Sequence, residues 1–259
     1  MGAVMRTASI SARELVVDFP IYGGGHRSLK KAVLRAATGG ALARDADERV
    51  VVRALDELTF EFNDGDRVGL VGHNGAGKST LLRVLAGAYE PVRGSLEVRG
   101  RVASMLSIWV GMDLEATGYE NIHLRGTVMG MGKRRLASLV DEICEFTELG
   151  DFLNMPLRTY SSGMAMRLAF AVSTSVQADI VLMDEWLSVG DDRFSLRAQE
   201  RLHALLDRTS ILVLASHSRD LIRKSCNKVV LLEQGKIVDV GTPDALLGPS
   251  AETGQSQVA

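Results

Sequence analysis

The run Gly72-His-Asn-Gly-Ala-Gly-Lys-Ser-Thr80 satisfies G-x-x-x-x-G-K-[ST], the pattern of a loop that wraps a phosphate chain. Its glycines let the backbone curl so that several N–H groups point inward, and the start of a helix adds a favourable partial charge. In such a loop Gly72, Asn74, Gly75, Ala76, Gly77 and Thr80 form the cradle, Lys78 reaches the β- and γ-phosphates, and the Ser79 hydroxyl binds Mg2+. His73 reads as a solvent-facing filler within the loop rather than a ligand. The setting is right for this chemistry. Arg67 to Val71 reads as a short buried strand entering the loop, and Lys78 to Ala88 as the helix leaving it.

Three further stretches carry groups that could act on a bound phosphate. Ile180 to Glu185 (IVLMDE) is a buried apolar strand that delivers two carboxylates to its C-terminal edge, where open α/β sheets bind ligands. Asp184 would hold Mg2+, directly or through water, and Glu185 would orient and deprotonate an attacking water. Apolar residues followed by Asp-Glu are common alone; downstream of a phosphate loop they become a strong signal. His217 follows another apolar strand, in LVLASHS. It is either structural, as a lone histidine at a strand end commonly is, or a hydrogen-bonding sensor of the terminal phosphate and the water. Tyr160 to Val172 (YSSGMAMRLAFAV) is a Ser/Gly turn running into an apolar helix, whose free N–H groups suit an anion. As a bare pattern it is weak.

These groups need a framework to hold them. Ser9 to Phe19 and Val50 to Phe62 read as strands, separated by an irregular stretch from Pro20 to Arg49 in which Ser28 to Ala37 predicts a short amphipathic helix. Leu96 to Leu106 predicts more strand. Gly118 to about Ala178 is helical in pattern, with breaks at Gly130 to Lys133 and Gly150 to Thr159. Strands return at Ile180 to Met183 and Ser210 to Ala215 around a helix from Phe194 to Asp207, and Lys228 to Val240 predicts a hairpin turning at Gln234-Gly235. Apolar strands alternating with helices predict an α/β fold with a parallel sheet covered on both faces, and a separate helical lobe.

Composition narrows the classes. A net charge of -2 gives no electrostatic reason to expect nucleic acid as a partner. The two cysteines, Cys144 and Cys226, lack metal-ligand spacing and fit buried thiols in a reducing compartment. Met1 to Ser11 has no apolar h-region, and no uncharged apolar run reaches the ~18 residues that span a bilayer. A cytosolic protein is expected, with any membrane role borrowed from a partner.

In this order the four motifs resemble the ABC ATPase family over nearly the whole chain. Gly72 to Thr80 is similar to its Walker A loop, Ile180 to Glu185 to its Walker B strand, and His217 to its switch histidine. Tyr160 to Met164 (YSSGM) is similar to the signature usually written LSGGQ, which puts Ser161 and Gly163 in phosphate-contacting places; Ser188 to Asp191 (SVGD) is similar to the D-loop. The aromatic that stacks on adenine would be Phe19 or Tyr22, with Phe19 slightly favoured and core packing its alternative role. The resemblance implies a P-loop nucleotide-binding domain with a RecA-like core, an antiparallel β subdomain and a helical subdomain. It also implies ATP and Mg2+, and a head-to-tail homodimer in which each ATP lies between one P-loop and the opposite signature.

Two departures point to one branch. Ser162 and Met164 replace a glycine and the glutamine of the signature, and the family's Q-loop glutamine is missing near Ile108. With DEWLSVGD, TGYENI and the long interruption after the first strand, the chain looks like ATPases of O-antigen, teichoic acid and galactan exporters. That resemblance implies a lipid-linked glycan as cargo, two copies of an integral membrane permease as partner, and a place on the cytoplasmic face of the inner membrane. The expected organisation is a nucleotide-binding domain over 1–245, with a helical subdomain over about 107–178 and an insertion over about 20–49, then a flexible tail over 246–259. No C-terminal carbohydrate-binding domain is expected. Arg27, Lys30, Lys31 and Arg35 in the insertion are expected near the membrane face, attracting lipid-linked pyrophosphate, with a solvated loop helix as the alternative. A soluble ABC ATPase acting on DNA or ribosomes, and a nucleotide-gated module without turnover, are the competing readings.

Overall fold

A computed structural model of the chain describes residues 8–20, 41–44, 50–107, 109–185 and 192–248. In chain order the first elements are β1 (Ser9–Pro20), β2 (Ala41–Arg44), β3 (Val50–Asn63), β4 (Arg67–Val71), α1 (Lys78–Leu85), β5 (Arg93–Arg99) and β6 (Val102–Met105). Next come α2 (Gly118–Val128), α3 (Lys133–Ala137), α4 (Val140–Thr147), two single 3-10 turns (Gly150–Asn154 and Leu157–Thr159) and α5 (Ser162–Thr174). The chain continues through β7 (Ile180–Asp184), α6 (Asp192–Leu206), β8 (Ile211–Ala215), α7 (Arg219–Ser225), β9 (Lys228–Glu233), β10 (Lys236–Gly241) and α8 (Pro243–Leu247). These elements divide into two compact units: Met1–Gly100 with Leu182–Glu185 and Ser210–Ala259, and Arg101–Val181 with Trp186–Thr209.

The first unit holds two sheets. One is antiparallel, in the order β2-β3-β1-β5. Ile10 faces Phe62 and Ala12 faces Phe60 across the β1–β3 ladder, so period-2 alternation buries one face. The ladder slips between Ala12 and Leu15, where Glu14 takes a left-handed φ of 48°, a bulge that turns the strand. The other sheet runs β10-β9-β4-β8-β7 in this unit, with β4 parallel to both β8 and β9 and β10 antiparallel at the edge. All five residues of β8 are buried, as a strand covered on both faces requires. The hairpin turns at Gln234 (φ 46°) and Gly235 (φ 78°), both left-handed, the geometry of a tight two-residue turn.

In the second unit α5 is apolar nearly all round. Leu168, Ala169, Phe170, Ala171 and Val172 are fully buried, the mark of a helix inside a core. Phe146 from α4 stacks near Phe170 and meets Phe194 from α6 edge-on at 5.2 Å, with the Arg201 guanidinium 4.5 Å from its ring centre. Helix α2 starts at a capping box in which Thr117 and Glu120 satisfy each other's backbone N–H groups. Strand β6 lies beside the first half of β7, and the Ile180 N–H donates to the Arg101 carbonyl at 3.0 Å. Among the described residues no helix is long and apolar enough to cross a membrane.

Most elements lie where the sequence pattern puts them, and the departures have local causes. The single strand over Leu96 to Leu106 is two, because Gly100 at φ 122° breaks it between β5 and β6. Part of the irregular stretch forms β2, held by antiparallel pairing of Ala41–Arg44 with Val50–Arg53. Helices α7 and α8 were not legible; their hydroxyl caps, Ser218 and Thr242, start them locally. The helix over Ser28 to Ala37, with Arg27, Lys30, Lys31 and Arg35, lies outside the described residues, as does the tail beyond 248.

Candidate active site

The phosphate loop links β4 to α1 and is shaped by contacts that leave no room for side chains. A Cβ on Gly72 would run into the Leu232 carbonyl of β9, and one on Gly77, at φ 108°, would stand 2.9 Å from Leu55 and 3.0 Å from the Ala54 carbonyl. Beneath the loop, Ala76 is fully buried, and its carbonyl accepts from the Gly235 N–H at 3.0 Å. The Gly235 carbonyl in turn accepts from Asp56 N–H at 2.8 Å, so the β9–β10 turn fastens loop to β3. Leu81 N–H donates to the Gly77 carbonyl at 2.8 Å, opening α1 directly from the loop.

Lys78 is 7% exposed, and its ammonium donates to the Gly72 carbonyl at 2.6 Å and the His73 carbonyl at 3.1 Å. Burial lowers its pKa, and the charges of Asp184 and Glu185 only partly oppose the shift. The ammonium thus sits in a partly desolvated place where a phosphate would strengthen it. His73 is exposed, with its Nδ1 2.8 Å from the Asn74 carbonyl.

Asn74, Gly75, Gly77, Lys78, Ser79, Thr80, Asp184, Glu185 and His217 line one cleft with Ala54. Strand β7 carries Asp184 at its C-terminal end and Glu185 just beyond it, while His217 follows β8, the neighbouring strand. Parallel neighbours put both C-terminal ends at one sheet edge, which is how groups far apart in sequence meet. Glu185 has a φ of 75°, a left-handed conformation that is costly for a residue with a Cβ and concentrates at functional sites. Its N–H donates to the Ala215 carbonyl at 2.8 Å, and its Oε1 accepts from the Ser216 hydroxyl at 2.7 Å. Ser216 was missed from sequence; it has no motif of its own beyond adjacency to His217.

Mg2+ fits the donor set. Among the described residues no cluster of three or more His, Cys, Asp or Glu could cage a metal. Ser79 and Asp184 share the cleft, and one hydroxyl and one carboxylate completed by phosphate oxygens and water is how Mg2+ is usually bound.

The other predicted residues are not among those lining this cleft. Phe19, at the end of β1, does not line it; half-buried, it meets Tyr89 edge-on at 5.2 Å. In the second unit Ser161 is the N-cap of α5, its hydroxyl accepting from Met164 N–H at 3.2 Å, with Gly163 in the first turn. Tyr160 before it donates to the Phe152 carbonyl at 2.7 Å, and burial pushes its hydroxyl up to about 12. A Cβ on Gly118 would strike that same tyrosine oxygen. Asp191 and the rest of Ser188 to Asp191, Tyr22 and Ile108 lie outside the described residues.

The second unit also holds a buried cation that the sequence reading passed over. Arg125 is 1% exposed; it donates to the Ser173 hydroxyl at 2.7 and 3.1 Å and to the Val110 carbonyl at 2.6 Å. Desolvation lowers its pKa to about 10. Four residues before it, Asn121 donates to the carbonyls of Asp113, Ala116 and Thr117, so α2 fastens the loop preceding it at two places.

Residues 55–188 match the family model described as ABC transporter. Over 231 residues the chain is 45% identical to the O-antigen export system ATP-binding protein RfbE of Yersinia enterocolitica, covering 89% of this chain and 97% of that protein. It is 37% identical over 220 residues to the O-antigen export system ATP-binding protein RfbB of Myxococcus xanthus, covering 85% of this chain but 50% of that longer protein. The teichoic acids export ATP-binding protein TagH of Listeria monocytogenes is 38% identical over 189 residues, 73% of this chain and 56% of its own length. Among solved structures, an ATP-binding subunit of an ABC transporter superposes with a TM-score of 0.67 at 21% identity, covering 94% of this chain and 96% of that one. A dimeric ATP-binding cassette in a post-hydrolysis state with ADP and Pi gives 0.64 at 16% identity, over 90% and 98% of the two chains. These two likenesses are of fold.

Proposed function

The chain belongs to the ABC transporter family, and we propose that it is the ATP-hydrolysing subunit that drives export of a lipid-linked polysaccharide through a separate membrane permease. The observation that carries the ATPase part is the cleft in which Lys78, Ser79, Asp184, Glu185 and His217 meet below one glycine-rich loop. The similarity to O-antigen and teichoic acid export proteins supports the cargo class.

ATP lays its β- and γ-phosphates in the loop, where backbone N–H groups and the Lys78 ammonium neutralise them. Ser79 and Asp184 would hold Mg2+, which would neutralise charge on the phosphate oxygens. Glu185 aligns the attacking water and takes its proton as the water oxygen bonds to the γ-phosphorus and the bond to the β–γ bridging oxygen breaks, leaving ADP and inorganic phosphate. His217 donates to the γ-phosphate and so distinguishes ATP from ADP. Ser161 and Gly163 serve the site of a second copy, their helix N-terminus facing its γ-phosphate, so that two chains enclose two ATP. Asp191 and Phe19 are assigned to the dimer contact and the adenine by family resemblance alone. Two such chains bound to two permease copies place the protein at the cytoplasmic membrane face. The exposed side chains of Trp109, Val110, Leu114 and Val128 in the second unit suit an apolar partner surface. No nucleic acid is assigned a role.

The reading is tested by reconstituting the chain with candidate permeases and measuring ATP hydrolysis, with and without lipid-linked glycan, for wild type and Glu185→Gln. Turnover lost in the variant and altered by permease plus glycan is the expected result. Turnover that depends on Glu185 yet ignores permease and glycan would remove the export part and keep the ATPase.

A further inference from the structure

The hydroxyl that holds Glu185 also organises the turn bearing His217. Ser216 is 3% exposed and directly follows β8. Its Oγ donates to Glu185 Oε1 at 2.7 Å and accepts from the Ser218 N–H at 3.1 Å. A serine hydroxyl has one proton and two lone pairs. With Ser218 N–H occupying a lone pair, the proton is committed to the carboxylate. The bond from residue 218 back to the side chain of 216 closes a local serine turn whose middle residue is His217. Ser218 is also the N-cap of α7, its own hydroxyl accepting from Leu221 N–H at 3.2 Å, so the turn is anchored on its far side. On the near side, Glu185 N–H is tied to Ala215, the residue before Ser216.

From this arrangement we infer that Ser216 is a positioning residue for hydrolysis: one buried hydroxyl fixes both the carboxylate of Glu185 and the backbone turn that presents His217. With Oε1 engaged, the proton-accepting role falls to Oε2. An unheld Glu185, exposed at the cleft mouth, would sample several rotamers and meet the water in the right geometry for a smaller fraction of the time. Ser216 does not line the cleft; it acts through its two neighbours. Because bound nucleotide is gripped by the loop and Lys78, the role is confined to the rate of the chemical step. The inference rests on Glu185 being the base.

The test uses the full chain with Mg2+ and ATP. Steady-state hydrolysis gives kcat and KM, binding of a fluorescent ATP analogue gives affinity, and thermal melts report folding. Ser216→Ala is expected to lower kcat on the order of tenfold, the scale of one lost hydrogen bond to a charged group. KM and analogue affinity should stay within about twofold, because Ser216 does not line the cleft. Ser216→Thr keeps the hydroxyl and should recover most of the rate. Combined with Glu185→Gln, the alanine change should add no further loss, since two residues acting as a unit are non-additive. Unchanged kcat in Ser216→Ala overturns the inference. So does a loss shared equally by kcat, affinity and melting point, or a folded Ser216→Thr as slow as alanine. If Glu185→Gln alone keeps wild-type turnover, the reading of Glu185 as base falls, and this inference falls with it for that separate reason.

Discussion

The Lys78 ammonium lies 2.6 Å from the carbonyl of Gly72, the first residue of its own loop. A side chain that reaches back across its loop is held ready before any phosphate arrives, so little rotamer freedom remains to be lost on binding. Replacing Lys78 with Ala removes a charge-assisted contact of about 1.5–3 kcal/mol. Isothermal titration with ATP and Mg2+ should show affinity lower by about ten- to a hundredfold, with the melting point of the free protein little changed. Wild-type affinity in the variant would mean that the loop alone holds the nucleotide.

At Gly72 the constraint is contact rather than charge. Gly72→Ala forces the new methyl against the Leu232 carbonyl and to 2.9 Å from the Ala76 side chain, so loop and β9 must separate. Loss of ATP binding with a cooperative melt is the expected outcome. Gly77→Ala, which also demands φ 108° of a residue with a Cβ, should lower stability on the order of 1–3 kcal/mol by chemical denaturation.

Arg125 and Ser173 should respond unequally to removal. The guanidinium is buried with neutral partners, so its charge is a standing cost. Arg125→Met deletes that charge, leaves Ser173 its bond to the Ala169 carbonyl, and leaves the carbonyl of exposed Val110 open to water. Urea melts should show a change within about 1 kcal/mol of wild type, in either direction. Ser173→Ala keeps the buried charge and leaves it the Val110 carbonyl as acceptor while stripping the hydroxyl, and should destabilise by about 1–3 kcal/mol. The reverse ranking would show that the guanidinium is a net stabiliser.

Cys226 sets a limit on alkaline stability. Burial pushes the thiol from an ordinary 9.0 up to about 12. Below pH 9 both folded and unfolded states keep the proton, and nothing is lost. Above it the unfolded chain releases the proton first, so stability falls between about pH 9 and about 12. Cys226→Ala should flatten that decline in denaturant titrations at successive pH values. The wild-type thiol should resist maleimide at pH 8 until the protein unfolds.

How much of this was legible in sequence depended on whether the information was local. The glycine spacing of the phosphate loop dictates a backbone path by itself, and β4 and the start of α1 lie where that path requires them. The apolar run Ile180 to Met183 likewise announces a strand fully buried on both faces. Four-residue β2 has no such signal; only its pairing with β3 defines it. Ser216 reads as any serine, because its meaning lies in a carboxylate 31 positions earlier that the sheet brings alongside. Arg125 falls at a helix position where a solvated face is the default, and only the packing of α2 against α5 places it inside. Phe19 is expected either at the adenine or in the core, and its ring meets Tyr89 edge-on, a neighbour no spacing rule could name.

The opening of α2 and the residue before α5's N-cap share one small space. The tyrosine hydroxyl occupies the very place a side chain at 118 would need. A side chain at 118 would have to displace that hydroxyl from its bond to the Phe152 carbonyl and would also stand 3.0 Å from the Leu153 backbone. Gly118→Ala therefore loosens the start of α2 and the Tyr160 hydrogen bond together, whatever the change is meant to do at either place.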